Sequence, residues 1–173
     1  MPKFISKAWP TSSINPKSYI VHLGFTLIEL LVVISLIGVL TTLVMANLNS
    51  GRGRSRDAQR MSDMRNIATA LRLYYNDRGI YPGNTAGYLM LACGSYTTPS
   101  ACGWNAAWAV GTVTYMSTLP KDPSSNQSYR YTQTGAGDGF TLSACFENRS
   151  NDKGVTTTDT TWCPSGWMYQ ITQ

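Results

Sequence analysis

The sequence predicts an α+β fold in which one long N-terminal helix packs on a small antiparallel β-sheet. Three observations predict it. An apolar run covers residues 25–44, apolar residues then recur at helical spacing over residues 54–75, and alternating segments follow only after residue 79. A helical part followed by a strand-rich part is typical of α+β domains.

The apolar run has the length of a transmembrane helix. As a helix at about 1.5 Å per residue, residues 25–44 span about 30 Å, the thickness of the hydrocarbon core of a bilayer. The run is longer than the apolar part of a secretory signal, and no small-residue cleavage site follows it. Glu29 is its single charged residue, and an acid inside a membrane is costly unless it has a partner.

Composition and charge exclude most enzyme classes. His22 is the single histidine, so the residues after it cannot form a Ser-His-Asp or Cys-His nucleophile or a histidine metal site. There is no Walker loop and no dinucleotide-binding glycine pattern. Without the lysines at positions 3, 7 and 17, the formal net charge falls from +5 to +2, which does not predict nucleic-acid binding. We predict that the protein is not an enzyme and has no catalytic residues.

The cysteines predict two disulfides. They are Cys93, Cys102, Cys145 and Cys163, and none has the Cys-x-x-Cys spacing that zinc sites commonly use. Four cysteines allow three connectivities, of which we favour the local pairs, 93 with 102 and 145 with 163. Because disulfides persist in oxidising compartments, we expect this part of the chain outside the cytoplasm.

A second helical pattern follows the apolar run. Residues 47–53, NLNSGRG, contain two glycines and predict a bend or a melted segment. Beyond it a predicted core stripe recurs at three- and four-residue steps, formed by Ala58, Met61, Met64, Ile67, Ala68, Leu71, Tyr74 and Tyr75. We expect this stripe to face a sheet and the helix to end over residues 76–79, shortly before Pro82.

The last part of the chain predicts a small strand-rich head. Residues 129–132 and 140–146 alternate as strands do, and GAGDG between them predicts a β-hairpin. Residues 162–171 predict another strand, tied back by its cysteine. Residues 88–92 predict a short helix or buried turn, and residues 94–111 predict a loop.

Residues 24–34, GFTLIELLVVI, resemble the cleavage and methylation signal of type IV prepilins and type II secretion pseudopilins. In that family a membrane peptidase cuts after the glycine and methylates the new N-terminal residue, and an acid stands fifth in the mature chain. The resemblance implies cleavage between Gly24 and Phe25, N-methylation of Phe25 and an assembly role for Glu29. It also implies a pilin-like lollipop whose long helix is transmembrane in its first half.

The electrostatics of this segment explain the acid. Cleavage would create a positive α-amino group on Phe25, one helical turn before Glu29. In a bundle of staggered identical helices, the amine of one copy can lie beside the carboxylate of the next. Each group then removes the uncompensated charge of the other, and the pair fixes the axial register.

Positive-inside counting conflicts with the topology of that family. The arginines at positions 52, 54, 56, 60 and 65 follow the apolar run and would by themselves place the carboxyl side in the cytoplasm. The cysteines and the resemblance imply the reverse. We therefore expect these arginines to lie against lipid head groups or neighbouring subunits, with nucleic-acid binding as the alternative.

Three motifs in the head are similar to the major pseudopilin of type II secretion. They are NDRGIYP at residues 76–82, LPKDP at residues 119–123 and YRY at residues 129–131, in the same order. In that pseudopilin a late loop binds calcium, and residues 148–152, NRSND, offer oxygen ligands with few carboxylates in a row. We predict no cofactor and no metal, with calcium in this loop as the alternative. A disulfide between residues 145 and 163 resembles the carboxyl-terminal disulfide loop of adhesive type IV pilins.

These features predict four segments. They are a prepilin leader at 1–24, a transmembrane and assembly helix at 25–48, an amphipathic periplasmic helix at 49–78, and a globular head with disulfide loops at 79–173.

The predicted function is that of a structural subunit of a type IV pilus-like or type II secretion pseudopilus filament. A prepilin peptidase processes it, and it polymerises through its N-terminal helix into a helical homo- or hetero-polymer. The resemblance implies an inner-membrane assembly platform as a further partner, and a single-pass location in the inner membrane with the head outside the cytoplasm before assembly. The alternative is a monomeric, single-pass, membrane-anchored extracytoplasmic binding module. Pilus and pseudopilus, and major and minor subunit, remain alternatives at this stage.

Overall fold

The structure is a computed structural model that describes residues 24–173. The predicted leader therefore lies outside the described residues, except for Gly24. The described residues form one α-helix and nine strands, with a 3₁₀ turn at Gly135–Gly137 between β6 and β7. The elements are α1 (Leu27–Arg78), β1 (Gly83–Asn84), β2 (Met90–Gly94), β3 (Pro99–Ala101), β4 (Trp108–Val110), β5 (Val113–Met116), β6 (Arg130–Thr134), β7 (Gly139–Cys145), β8 (Val155–Thr156) and β9 (Trp167–Thr172).

Both ends of α1 are fixed by local hydrogen bonds. Thr26 caps the start, because its Oγ1 and its carbonyl oxygen both accept the Glu29 backbone N–H, at 3.3 and 3.1 Å. At the other end Gly79 adopts a left-handed conformation with φ 70°, and its N–H donates to the Tyr75 carbonyl at 2.7 Å. The predicted helix end is confirmed. In the part of the chain that the structure describes, no helix has a stretch both long and apolar enough to cross a membrane.

Of the bend or melted segment predicted over residues 47–53, the melted segment is wrong, because α1 continues as helix through both glycines. Gly53 is buried, and a Cβ built on it would lie 3.5 Å from Oε2 of Glu147. That distance is an ordinary van der Waals contact, so Gly53 lies against the head without an unusually close approach. Each glycine costs about 1 kcal/mol of helix propensity, and packing against the head offsets a cost of that size.

The head contains two sheets where the sequence predicted one. The first has the order β1-β2-β4-β5 with β3 also paired to β2, and its β2–β4 pair is parallel. The second has the order β6-β7-β9-β8 and is antiparallel throughout. The predicted hairpin is confirmed by the pairing of Arg130 with Ser143 and of Thr134 with Gly139. The strand predicted over residues 162–171 begins only at Trp167.

Two local predictions for the head are wrong. The helix or turn predicted over residues 88–92 is mostly strand β2, and the loop predicted over 94–111 contains β3 and β4. The strands β3 and β4 have three residues each, too few to give an alternating pattern. Their hydrogen-bond partners are supplied by β2 and β5, which local sequence does not specify.

The core lies between α1 and the strands. The predicted stripe is buried from Met64 to Tyr74, and Tyr75 is half-buried. Tyr74 packs on Trp108 with ring centroids 5.7 Å apart. The first residue of the predicted stripe is misplaced, because Ala58 is exposed. Asp57 and Arg60 are the buried residues at this level of the helix, with 1% and 0% of their surface exposed. A buried aspartate and arginine on the core side of a helix need partners, and these lie in the head.

Candidate functional site

The N-terminal segment of the described chain is apolar and exposed. Phe25 is 71% exposed and Leu27 83%, and the large apolar side chains described from there to Leu48 are all at least 42% exposed. The carboxylate of Glu29 forms no ion pair within residues 24–173. Glu29 lies in the first turn of α1, where a negative charge interacts favourably with the helix dipole.

A cluster of charges, buried at its centre and open to solvent at Arg56 and Glu147, attaches the second half of α1 to the head. This Arg60 cluster consists of Arg56, Asp57, Arg60, Asp122 and Glu147. The guanidinium of Arg60 donates to Asp57 Oδ1 at 2.8 Å and to both oxygens of Asp122, at 2.8 and 2.9 Å. Its Nη1 also lies 3.0 Å from Glu147 Oε1. The planar guanidinium thus joins one turn of helix to two head segments, with the bidentate geometry that arginine provides.

The backbone takes part in the same cluster. Oδ1 and Oδ2 of Asp57 accept the backbone N–H groups of Glu147 and Asn148, each at 2.9 Å. These two residues closely follow strand β7 and its cysteine. The aspartate therefore fixes the point at which the chain leaves the second sheet.

The charges in the cluster shift the pKa values of its members. Hydrogen bonds from Arg56 and Arg60 outweigh the effect of burial and lower the pKa of Glu147 from 4.5 to about 2. Burial by itself would lower the pKa of Arg60, but the hydrogen bonds and negative charge of Asp122 raise it above its ordinary value. Both groups are therefore charged at neutral pH.

The head motifs identified in the sequence lie where the head meets the helix. Asp122 of LPKDP is the bidentate partner of Arg60. Tyr129 donates its hydroxyl to Asp63 Oδ2 at 2.7 Å, and Tyr131 donates to the Pro82 carbonyl at 2.6 Å. The motifs thus carry structural contacts between segments far apart in the sequence.

Two disulfides close loops in the head. Cys93 is joined to Cys102 and Cys145 to Cys163, the local pairing favoured from the sequence. The second bridge ties the end of β7 to the turn before β9. It closes the late loop, residues 146–162, at its base.

The oxygens near the late loop are already engaged. An open cavity of about 440 Å³ is lined by Asp57, Asn148, Asp152 and, on the helix side, Arg54. Both carboxylate oxygens of Asp57 accept backbone N–H groups, and Oδ1 of Asn148 accepts from the N–H and the hydroxyl of Ser150. In this described lining, Asp152 is the one carboxylate without such a bond, and Arg54 lines the same cavity. Among the described residues no group of three or more His, Cys, Asp or Glu side chains could hold a metal ion.

The sequence predicts that the arginines of the Arg60 cluster lie against lipid head groups or neighbouring subunits, whereas Arg60 is buried and Arg56 pairs with Glu147. The sequence nevertheless contains a pattern that indicates this cluster. Asp57 and Arg60 precede Met64 by seven and four residues, so they are in phase with the apolar stripe. A charged pair in phase with a core stripe indicates buried ion pairs.

Comparison with known proteins agrees with these features. The family profile described as type II secretion system (T2SS), protein G, matches residues 47–160, and the prokaryotic N-terminal methylation motif matches residues 22–45. No solved structure matches.

Three similar proteins are each described as type II secretion system core protein G. The one from Pseudomonas aeruginosa is 32% identical over 119 residues, which cover 69% of this chain and 79% of the relative. The one from Vibrio cholerae is 31% identical over 124 residues, covering 70% and 80%. The one from Escherichia coli K12 is 34% identical over 103 residues, covering 60% and 67%.

These matches confirm the prepilin and pseudopilin resemblance and the predicted function of a filament subunit processed by a prepilin peptidase. They also decide between the alternatives in favour of the secretion pseudopilus. The chain belongs to the type II secretion system protein G family.

Proposed function

We propose that this chain is held in the inner membrane by its N-terminal helix, is cleaved after Gly24 and methylated on Phe25, and then polymerises through that helix. The observation that carries the proposal is the exposed apolar surface described between residues 25 and 48, a stretch in which Glu29 is the single charge. In water such a surface would be strongly unfavourable. Lipid covers it before assembly, and the helices of other subunits cover it in the filament.

The start of α1 supports the proposed cleavage. The helix begins at Leu27, two residues after the proposed new N-terminus, and Thr26 already caps it. A positive α-amino group at this end of a helix is unfavourable toward the helix dipole. A carboxylate from a neighbouring copy would offset it. The amine of Phe25 in one subunit and Glu29 in the next thus form the proposed register pair.

The ion pairs of two arginines support a head outside the cytoplasm. Arg60 is buried among three acids, and Arg56 pairs with Glu147. Two of the five arginines that follow the apolar run are therefore neutralised within the fold, which weakens the positive-inside argument for the opposite topology. The two disulfides favour the same side, because the cytoplasm is reducing.

The proposed partners follow from these steps of membrane insertion, processing and polymerisation. They are a prepilin peptidase and methyltransferase, other pseudopilin subunits in a helical polymer, and an inner-membrane assembly platform. The contacts between subunits are heterologous, because such contacts do not close into a ring and so generate a fibre.

The test determines the N-terminus of the native protein and the ability of variants to form filaments. Mass spectrometry of the native protein should show a chain that begins at methylated Phe25, and Gly24→Ala should leave the full precursor. Glu29→Leu should remain in the membrane but form no filaments under electron microscopy. Ser35→Leu, which changes a polar residue of the same run, is the matched control and should still assemble. Filaments built from uncleaved chains, or from Glu29→Leu at the wild-type level, would contradict the proposal and favour a monomeric tethered module.

A further inference from the structure

The outer face of the second sheet carries a cavity whose lining contains no residue of α1. It has a volume of about 300 Å³ and lies on strands β6, β7 and β9, on the side away from the core. Its lining includes Arg130, Thr132, Thr141, Ser143, Trp162 and Gln170.

The floor of the cavity is a set of polar side chains in cross-strand register. Ser143 of β7 lies between Arg130 of β6 and Gln170 of β9, and Thr141 lies opposite Thr132 in the next row. Successive residues of a strand point to opposite faces, so these side chains share the outer face while Tyr131 and Leu142 enter the core. The floor therefore has hydroxyl and amide groups together with the apolar side chain of Met168.

The polar groups of the floor have no partners among the described side chains. Within residues 24–173, the hydroxyls of Thr132, Thr141 and Ser143 and the amide of Gln170 form no side-chain hydrogen bond. Ser143 is only 9% exposed, and it lines the cavity. Converging polar groups without internal partners in a concave site are typical of a ligand pocket.

The wall of the cavity is aromatic and electrically neutral. The guanidinium of Arg130 lies between the rings of Tyr88 and Trp162, 4.4 and 4.3 Å from their centroids. It also forms an ion pair with Asp159 at 2.7 Å, so its positive charge is already compensated. Only the Nη1 group donates to Asp159 among the described residues, which leaves further N–H donors of the guanidinium available.

The wall is also held rigidly. Trp162 precedes Cys163 of the late disulfide, and its indole N–H donates to the Ser128 carbonyl at 2.9 Å. Its backbone N–H donates to Asp159 Oδ1 at 3.0 Å. A site whose walls are fixed before binding loses less conformational entropy when a ligand enters.

We propose that this cavity binds a neutral carbohydrate, with one pyranose ring on the hydroxyl floor against the Tyr88–Arg130–Trp162 wall. A sugar presents hydroxyls that both donate and accept, which matches the Ser, Thr and Gln side chains of the floor. Its apolar C–H faces suit an aromatic wall. The compensated charge of Arg130 favours a neutral sugar over an acidic one, and the volume is at the lower end of the range for small-molecule pockets.

The experiment uses the full chain in a micelle without sugar head groups, such as lauryldimethylamine oxide. The probes are cellobiose, maltose, N,N′-diacetylchitobiose and, as an acidic comparison, digalacturonic acid. Saturation-transfer NMR and calorimetric titration should detect binding of at least one neutral disaccharide with a dissociation constant of about 1 mM or tighter.

A double variant of the floor and a control variant then test whether the sugar binds in this cavity. Thr141→Val combined with Ser143→Ala keeps the shape of the floor, removes two hydroxyls and should weaken binding at least about tenfold. Thr114→Val, an exposed threonine of β5 on the other sheet, is the matched control and should leave the affinity unchanged. Near-UV circular dichroism checks that the double variant is folded. Absence of binding by all three neutral probes, preference for the acidic one, or equal affinity of the double variant and the control would each overturn the proposal.

Discussion

Arg60 and Asp122 form a bidentate ion pair between the helix and the head, across a sequence separation of 62 residues. Neither side chain has any exposed surface. Arg60 also holds Asp57 on its own helix and contacts Glu147 beyond β7, so one guanidinium connects three parts of the chain. If the arginine is removed, the acids remain buried without a compensating charge.

Arg60→Met should therefore lower the free energy of unfolding by about 3–5 kcal/mol, the usual cost of leaving a buried partner unpaired. Arg60→Lys should lose less stability than Arg60→Met but remain less stable than wild type, because an ammonium group cannot form the bidentate pair. Denaturant unfolding of the full chain in micelles, followed by tryptophan fluorescence, measures the change. Arg65→Met, an exposed arginine on the same helix, is the control and should stay within about 0.5 kcal/mol of wild type. Equal stability of the two methionine variants would show that the cluster is not an anchor.

Acid should weaken this attachment. The pKa of Glu147 is lowered by Arg56 and Arg60, from 4.5 in an ordinary environment to about 2 in the folded state. A depressed pKa stabilises the fold above pH 4.5, and this contribution is lost as the pH falls from about 4.5 toward 2. Asp63 acts in the opposite sense, because burial raises its pKa and its contribution is lost as the pH rises.

Glu147→Gln should therefore flatten the dependence of the free energy of unfolding on pH below 4.5. Asp138→Asn, which changes an exposed acid in the β6–β7 turn, should keep the wild-type slope. The measurement is a series of unfolding curves between pH 2 and pH 6. An unchanged slope in Glu147→Gln would exclude this residue as the source of the acid sensitivity.

The late disulfide should stabilise the head by closing the loop between residues 145 and 163. For a sequence separation of 18, the chain-entropy relation gives about 3 kcal/mol, so the double variant Cys145→Ala and Cys163→Ala should lose about that much. Hydrogen exchange should rise in residues 146–162 of this variant. Removing Cys93 and Cys102 instead should leave exchange in that loop unchanged. Protection that persists after loss of the late disulfide would mean that hydrogen bonds alone order the loop.

Replacement by alanine should have opposite effects on the free energy of unfolding at Gly51, inside the helix, and at Gly79, directly after it. A methyl group added at the Cα of Gly51 would meet no neighbouring atom within 4 Å, so Gly51→Ala should raise the free energy of unfolding by up to about 1 kcal/mol. Gly79 has φ 70°, where an added Cβ is strained, so Gly79→Ala should lower it by about 1–2 kcal/mol. Thermal unfolding of the two variants, compared with wild type, measures the predicted gain and the predicted loss of stability. A gain at Gly79 would show that its left-handed conformation is not required.

Local chemistry was sufficient to predict several elements. The core stripe from Met64 onward, the helix end at Gly79 and the hairpin around GAGDG each depend on residues a few positions apart. The apolar run and its single acid are likewise visible in the sequence itself. The two glycines, Gly51 and Gly53, predict a weak point in the helix from local propensity alone, but α1 continues through both.

The sequence by itself determined that this chain has a prepilin-type N-terminus, a long helix and a disulfide-closed head, because spacing, turn residues and composition act over short distances. The tertiary structure decided the parallel β2–β4 pair, the partners of Arg60 and the polar cavity around Ser143. The physical reason is the same in each case. Strand pairing, compensation of a buried charge and the convergence of side chains into a cavity all require groups that are brought together only when distant segments pack.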